Sequence, residues 1–233
     1  MNRESKPEGY ESKPQEYFQL TRPEMLPFVP SDCRRVLDVG CGSGGFGQTL
    51  KQSRSVEVWG VEPVSTAAAI AATRLDRVLE STFNPQLDLP RNGFDCVIFN
   101  DVLEHLIDPV ASLQFAYDLV SPGGCVVASI PNIRHFPTMW ALLVRGEWTY
   151  RDFGILDQTH LRFFTRKSIP SLFLDGGFNI EKIEGISSYR TLHPEASPRW
   201  RYFVLLNALT LGAISDMRYL QFAVVARPNK SAN

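Results

Sequence analysis

The stretch VLDVGCGSGG at residues 36–45 restricts the fold of this chain more than any other. A short apolar run of strand character enters a turn rich in glycine, and Phe46 and Leu50 then mark one face of a helix. Glycine adopts backbone angles closed to other residues and lets a ligand come close to the main chain. The first helical turn adds N–H groups that have no partner inside the helix. Strand, glycine turn and helix in this order predict a ligand loop at the carboxyl end of a sheet strand.

The rest of the chain continues the alternation. Strands are expected at 35–39, 56–61, 77–79, 94–99 and 125–130, the last introduced by Pro122, Gly123 and Gly124. Helices are expected near 65–75 and 109–120. Such alternation builds a parallel sheet covered by helices on both faces. A further helix follows Thr165 and ends at Gly176 and Gly177; its start is placed at Ser168, because Pro170 is tolerated only in a first turn. FNIEKIE at 178–184 and YLQFAVVA at 219–226 read as two more strands, paired as an antiparallel hairpin at the edge. Residues 1–233 are read as a single domain. Residues 1–16 form a charged arm rich in Pro and Gly, expected to be mobile. The segments 131–165 and 185–218 are long insertions, expected to make a lid where an acceptor binds, since ligands sit beyond strand ends in such sheets. Within the first, Phe136, Trp140 and Leu143 recur at helical spacing.

Glu62 closes the second strand, where a carboxylate can accept both hydroxyls of an adenosine ribose. Gly40-x-Gly42-x-x-Gly45 by itself also satisfies the dinucleotide fingerprint. Loop and acid together leave nicotinamide cofactors and S-adenosylmethionine both open. Three features separate them: Asp38 two positions before the first glycine, FNDVLEH at 99–105 after the fourth strand, and the terminal antiparallel hairpin. No Tyr-x-x-x-Lys pair or other hydride-transfer constellation is present.

On these residues the chain resembles the class I S-adenosylmethionine-dependent methyltransferases from about Tyr17 to Ala226. VLDVGCGSGG matches the first motif of that family, Glu62 its ribose acid and FDCVIFNDVLEH its fourth-strand motif, while SPGGCVVASIPN leads into the fifth strand. The fold implied is α/β: a Rossmann-like doubly wound sheet of about seven strands, mostly parallel with an antiparallel edge hairpin, helices on both faces. EWTYRDFGILDQTHLRFFT at 147–165 is similar to a bacterial subgroup marked by a GxLDxTHxRFFT block. That subgroup is itself similar to the ubiquinone-type and methionine-biosynthesis-associated methyltransferases, and its members often accompany glycan or surface-polysaccharide enzymes.

The resemblance implies a cofactor, S-adenosylmethionine, leaving as S-adenosylhomocysteine, and a set of roles. Gly40, Cys41 and Gly42 line its methionine portion through their backbone, and Asp38 orients the loop or the amino group. Glu62 holds the ribose, with Pro63 on the adenine side. Ser81 and Thr82 fall where the family has an acid near the adenine amino group; here the nearest acid is Glu80, one position early. Asn100 and Asp101 face the methionine end, with helix capping an equal alternative for Asp101. Tyr17 closes over the cofactor or packs as a plain aromatic. The implied function is O-methylation of a hydroxyl on a small molecule or glycan; N- or C-methylation and a non-catalytic binding scaffold stay open. A hydroxyl must lose its proton on transfer, which a neutral histidine can accept. His160, inside the distinctive block, and His105, beside the cofactor pocket, are the catalytic candidates, each with a structural role as its alternative. His135 and His193 are expected on the surface or in loops.

A net charge of −1 gives no global basic field for nucleic acid. Four widely spaced cysteines without a CxxC pair argue for free thiols in a reducing, cytoplasmic setting. No cluster of acids and histidines in the sequence points to a metal. The polar amino terminus lacks the apolar core of a signal peptide, and no apolar run reaches the roughly 18 residues of a membrane span. The most apolar segment, Phe203 to Met217, is interrupted by Asn207, Thr210, Ser215 and Asp216 and reads as a buried or interfacial helix. Shallow membrane contact through it and through 131–165 stays open, as does the oligomeric state.

Overall fold

In the computed structural model, which describes Lys13 and residues 15–188 and 198–229, seven strands hydrogen-bond into one sheet. They are β1 (Arg35–Val39), β2 (Glu57–Glu62), β3 (Arg77–Glu80), β4 (Phe94–Asn100), β5 (Val120–Pro131), β6 (Phe178–Ser188) and β7 (Tyr219–Pro228). Their order is β3-β2-β1-β4-β5-β7-β6. β7 runs antiparallel to β5 and β6, and every other pair is parallel. This is the mostly parallel sheet with an antiparallel edge that the sequence predicts. β5 starts earlier than expected, because Val120 already pairs with Phe94. The Pro122-Gly123-Gly124 turn is then absorbed as an irregularity between that pair and Cys96–Cys125.

The described helices are α1 (Gly45–Ser53), α2 (Ser65–Ala71), α3 (Pro109–Leu119), α4 (Phe136–Arg145), α5 (Ile169–Asp175) and α6 (Pro198–Leu209). Their ends follow local chemistry. The Asp108 side chain caps α3 by accepting the Ala111 N–H at 2.9 Å, and Pro109 occupies the first position, where a missing N–H costs nothing. α5 has Ser168 at its N-cap and Pro170 in its first turn, as predicted. α2 stops at Ala71, short of the expected end near 75.

Both faces of the central strands are out of water, which is why they read as near-continuous apolar runs. Leu37, Val97, Phe99 and Val126 pack toward α3 and α5 with Leu113, Phe115 and Phe173. Val36, Cys96, Ile98 and Val127 pack on the other side with Met25, Phe46 and Leu50. Each such side chain stabilises the fold by roughly 1.5–3 kcal/mol through burial. All four cysteines are buried and free.

His135, expected on the surface or in a loop, does lie in the loop before α4 but is buried there, at the N-cap, where its carbonyl accepts the Thr138 and Met139 N–H groups. His193 lies outside the described residues, as do most of residues 1–16. Of the buried and interfacial readings of the 203–217 segment, the buried one does not hold: α6 ends at Leu209 and is exposed along most of its length, with Phe203 turned inward. Among the described residues no helix is long and apolar enough to cross a membrane.

Candidate active site

The carboxyl ends of β1, β2 and β4 open into a cavity of about 770 Å³. Tyr17, Asp38, Gly40, Cys41, Gly42, Glu62, Pro63, Ser81, Thr82, Asn100, Asp101, His105 and His160 all line it. The fold thus brings together every residue singled out as a cofactor or catalytic candidate.

The glycine turn is built on left-handed backbone, with φ of 65° at Gly40 and 52° at Gly42. Its first N–H groups, of Gly40 and Cys41, donate to the Val61 carbonyl at 2.8 and 3.2 Å, tying the turn to the end of β2. The next residue of β2, Glu62, accepts the Gly42 N–H at 2.8 Å on one carboxylate oxygen and the Val64 N–H at 2.9 Å on the other. Each oxygen keeps a lone pair for a ligand hydroxyl. Burial raises the Glu62 pKa despite these two donors. Asp38 is 2 % exposed, and burial, then the nearby Glu62, push its pKa up to about 7. Its Oδ2 and both amide atoms of Asn100 are buried without a hydrogen-bond partner. Buried polar atoms are rarely left so, and unpaired ones mark sites where something else binds.

The amino-terminal segment roofs this end of the cavity. The Phe18 carbonyl accepts the Ser43 N–H at 2.8 Å. A Cβ on Gly42 would come within 2.6 Å of that same carbonyl oxygen, so the glycine is required by the roof as well as by its φ. Arg22 reaches from the roof to Asp101 and, at 2.7 Å, to Gln221 of β7. Asp101 also accepts from the Ser129 hydroxyl at 3.0 Å and the Gln221 amide at 2.7 Å. The Asp101 side chain caps no helix: the cap of α3 is Asp108, and the short helix Leu103–His105 has no side-chain cap. Burial raises its pKa even against Arg22.

At the other side of the cavity, three buried groups converge. The ligating atoms of Glu104, His105 and His160 all lie within 4.8 Å of one another, and the two imidazoles meet edge to face with centroids 4.6 Å apart. His160 Nδ1 lies 2.9 Å from the Ile155 carbonyl, and His105 Nδ1 lies 3.1 Å from the Thr159 carbonyl. A carbonyl can only accept, so each ring carries its proton on Nδ1 and turns the Nε2 lone pair to the cluster. His105 Nε2 is 3.4 Å from the Tyr17 hydroxyl. Both Glu104 oxygens are buried without a hydrogen-bond partner, and His160 Nε2 approaches Oε1 to 3.9 Å. Burial drives the Glu104 pKa well up, lowers that of His105 to about 4 and lowers that of His160. Burial and the Asp157 charge also raise the Tyr17 hydroxyl. Two imidazole nitrogens and a carboxylate form a donor set suited to a divalent transition-metal ion. The three groups are adjacent in space although His160 comes from the distant 147–165 block, a proximity that the linear sequence does not show.

Asp157 and Lys13 complete this end. Lys13 falls in the arm expected to be mobile, yet its Nζ is 2.7 Å from both Asp157 oxygens, with side chains 5 % and 2 % exposed. Burial works against the Asp157 charge, but Lys13 and Thr159 outweigh it and hold the pKa low. Sequence reasoning missed Arg22, Glu104 and Lys13. For Glu104 a signal existed: an acid between apolar residues, VLEHL, next to a candidate histidine.

Comparison with known proteins follows the same lines. The sequence matches the methyltransferase domain family over residues 9–183. A ubiquinone biosynthesis O-methyltransferase of Psychrobacter arcticus is 27 % identical over 161 residues, which span 66 % of this chain and 62 % of that relative. A solved S-adenosylmethionine-dependent methyltransferase from Archaeoglobus fulgidus superposes with TM-score 0.66 at 21 % identity, covering 91 % of this chain and 94 % of the other. A Haemonchus contortus phosphoethanolamine N-methyltransferase, solved with S-adenosyl-L-methionine, gives TM-score 0.56 at 17 % identity over 89 % of this chain and 52 % of the other. At these identities the structural likeness speaks for the fold.

Proposed function

Because the chain belongs to the methyltransferase domain family, we propose that it transfers a methyl group from S-adenosylmethionine to a hydroxyl of a small molecule or glycan. One observation carries this reading. Three buried, unpartnered polar atoms, Asp38 Oδ2 and the two amide atoms of Asn100, line the same cavity as the Glu62 carboxylate. They suit a ligand with an ammonium group, a carboxylate and a ribose diol. When bound, S-adenosylmethionine supplies a methyl already activated on a sulfonium.

The residues then divide the work. Glu62 holds the ribose, with Pro63, Ser81 and Thr82 on the adenine side. Asp38 and Asn100, with the backbone of Gly40, Cys41 and Gly42, hold the amino-acid end. Tyr17 closes the cavity and ties the roof to His105. Asp101, locked by Arg22, Ser129 and Gln221, fixes the end of β4 and so the start of the segment bearing Glu104 and His105. Placing an acceptor oxygen in line with the methyl supplies most of the acceleration. The acceptor proton goes to His160 Nε2, a group left neutral near pH 7 by burial. The Glu104 carboxyl stands beside it, with Oε1 3.9 Å from Nε2. The described parts of the 131–165 and 185–218 insertions form the acceptor lid. The block at 147–165 likens the chain to the bacterial subgroup noted above, a resemblance that implies the reaction type and not the acceptor. The curated relative is named for O-methylation in ubiquinone biosynthesis, which favours a hydroxyl over nitrogen or carbon.

A second reading of the polar cluster rests on the unpartnered Glu104 oxygens. A divalent cation held by Glu104, His105 and His160 would polarise the acceptor hydroxyl and lower its pKa without a protein base.

Titration calorimetry of the full chain with S-adenosylhomocysteine and with NAD tests the cofactor. Binding of the first and not of the second is expected; the reverse would sink the reading. A methyl-transfer screen over catechols, phenols and sugars tests the acceptor, and transfer confined to amines would overturn O-methylation.

A further inference from the structure

The described parts of the two insertions carry an apolar surface that extends beyond the cavity. α4 and α6 share an aromatic seam, with Phe136–Phe203 centroids 5.2 Å apart and Trp140–Tyr202 rings stacked at 5.6 Å. Beyond the seam both helices turn apolar side chains to water. Leu143 is 78 % exposed, Leu209 71 % and Leu211, just past α6, 96 %. Val144, Val204 and Leu205 are each at least half exposed. The surface continues into the 147–165 block, where Trp148 packs on Phe163 and Tyr150, Phe153 and Leu161 are exposed. A helix that is apolar on most of its sides is ordinarily buried, and exposed patches of this kind mark sites of association.

Charge decides what covers it. Arg145, Arg151, Arg162 and Arg201 are exposed on the same segments, with Arg166 and Lys167 exposed just past the end of the block, against the carboxylates of Glu147 and Asp152. The chain as a whole carries −1, so this face is polarised positive. A second copy related by a twofold axis would set these cations against themselves. Spanning a bilayer is excluded for α6, whose 12 residues extend about 18 Å against a hydrocarbon core of roughly 30 Å. Exposed tryptophan and tyrosine suit the boundary between headgroups and acyl chains. We propose that α4, α6 and the 147–165 block bed together on an anionic lipid surface, apolar side chains entering the headgroup boundary and the cations meeting lipid phosphates.

The bed adjoins the cavity. Phe153 is both 73 % exposed and a lining residue, and Leu20, 56 % exposed, lines it from the roof. A surface seated there would present the cavity mouth to the bilayer. On the methyl-transfer reading, which this sentence alone requires, the acceptor then partitions from lipid rather than arriving through water.

Vesicle flotation of the full chain tests the surface without reference to activity. Vesicles of phosphatidylcholine and phosphatidylglycerol in equal parts should float most of the protein, and phosphatidylcholine alone at least about tenfold less. Arg166→Glu with Lys167→Glu, and separately Leu205→Glu with Leu209→Glu, should each lower the floated fraction about tenfold while S-adenosylhomocysteine affinity stays unchanged. The first pair keeps the test informative if the second disturbs folding. Failure to float with anionic vesicles, or flotation unaffected by both pairs, overturns the proposal. So does a dimer in sedimentation equilibrium that Leu205→Glu with Leu209→Glu converts to monomer, since the face would then belong to a second copy.

Discussion

The Nε2 atom of His160 stands 3.9 Å from the Oε1 atom of Glu104, and both side chains are almost wholly removed from water. An acid and a base so placed share one proton more readily than either holds a charge alone. His160→Ala should therefore cut turnover at least about a hundredfold on a hydroxyl acceptor, while S-adenosylhomocysteine affinity stays within about threefold because the residue lies away from the glycine turn. Burial lowers the His160 pKa below its ordinary value of 6.5. The active, neutral form thus forms as pH rises through a point below 6.5, and the parent's rate should climb there and be flat at pH 8. Joint loss of stability and cofactor affinity in the variant would make His160 a structural tie instead.

The same cluster allows a test of the cation reading. If Glu104, His105 and His160 hold a divalent ion, adding Mn²⁺ or Zn²⁺ should raise Tm by about 3 °C or more through preferential binding to the folded state. Glu104→Gln should abolish the shift. A parent protein with the same Tm with and without these ions, fully active in chelator, leaves proton transfer to His160 as the working mechanism.

Glu62→Ala should weaken S-adenosylhomocysteine binding at least tenfold, since buried hydroxyls would lose acceptors worth about 1–3 kcal/mol each when unsatisfied. The variant also orphans the Gly42 and Val64 N–H groups that Glu62 now receives. Circular dichroism must therefore show the fold retained, and a folded variant with parental affinity would remove Glu62 from the site.

Gly42→Val should abolish binding for a different reason than ligand crowding. The new Cβ would meet the Phe18 carbonyl at 2.6 Å on a residue whose φ is 52°. The roof must lift, so susceptibility to proteolysis near Phe18 should rise along with the loss of affinity. Retained affinity and an unchanged cleavage pattern would mean that the ligand lies elsewhere.

Asp38 makes stability depend on pH. Its folded pKa, about 7, exceeds its ordinary value of 3.8. The folded state therefore favours the protonated form, and that contribution is fully present below 3.8 and lost as pH rises through 7. Without cofactor, Tm should fall between pH 4 and pH 7, and Asp38→Asn should flatten this decline while weakening S-adenosylhomocysteine binding. An identical pH profile in parent and variant would contradict the assignment.

Much of the fold was legible because its determinants are local. β1 falls on residues 35–39 as expected, and α5 begins where Pro170 dictates. The cavity lining was legible for a related reason, since strand ends and the turns after them carry it. What stayed hidden depends on long-range pairing. Nothing in the sequence near Lys13 says that Asp157 will bury it, and nothing near Arg22 points to Gln221. The sequence around His135 carries no sign that the loop leading into α4 is buried. Glu104 was readable only as part of a motif, its orphaned carboxylate being set by His160 arriving from the distant block.

Every strand of the sheet begins at Arg35 or later, and Met25, Phe28, Val29 and Cys33 are the buried residues before it that join the core. Tyr17, Phe18, Leu20 and Arg22, which cover the cavity, all come before them. Folding and ligand capture are therefore encoded in separable lengths of chain. A version begun at Pro23 would keep Met25 and Phe28 for the sheet, while its ligand site stood open on one side and Asp101 and Asp157 lost Arg22 and Lys13. Thermal stability alone is therefore a poor guide to whether shortened or tagged forms keep the ligand site closed.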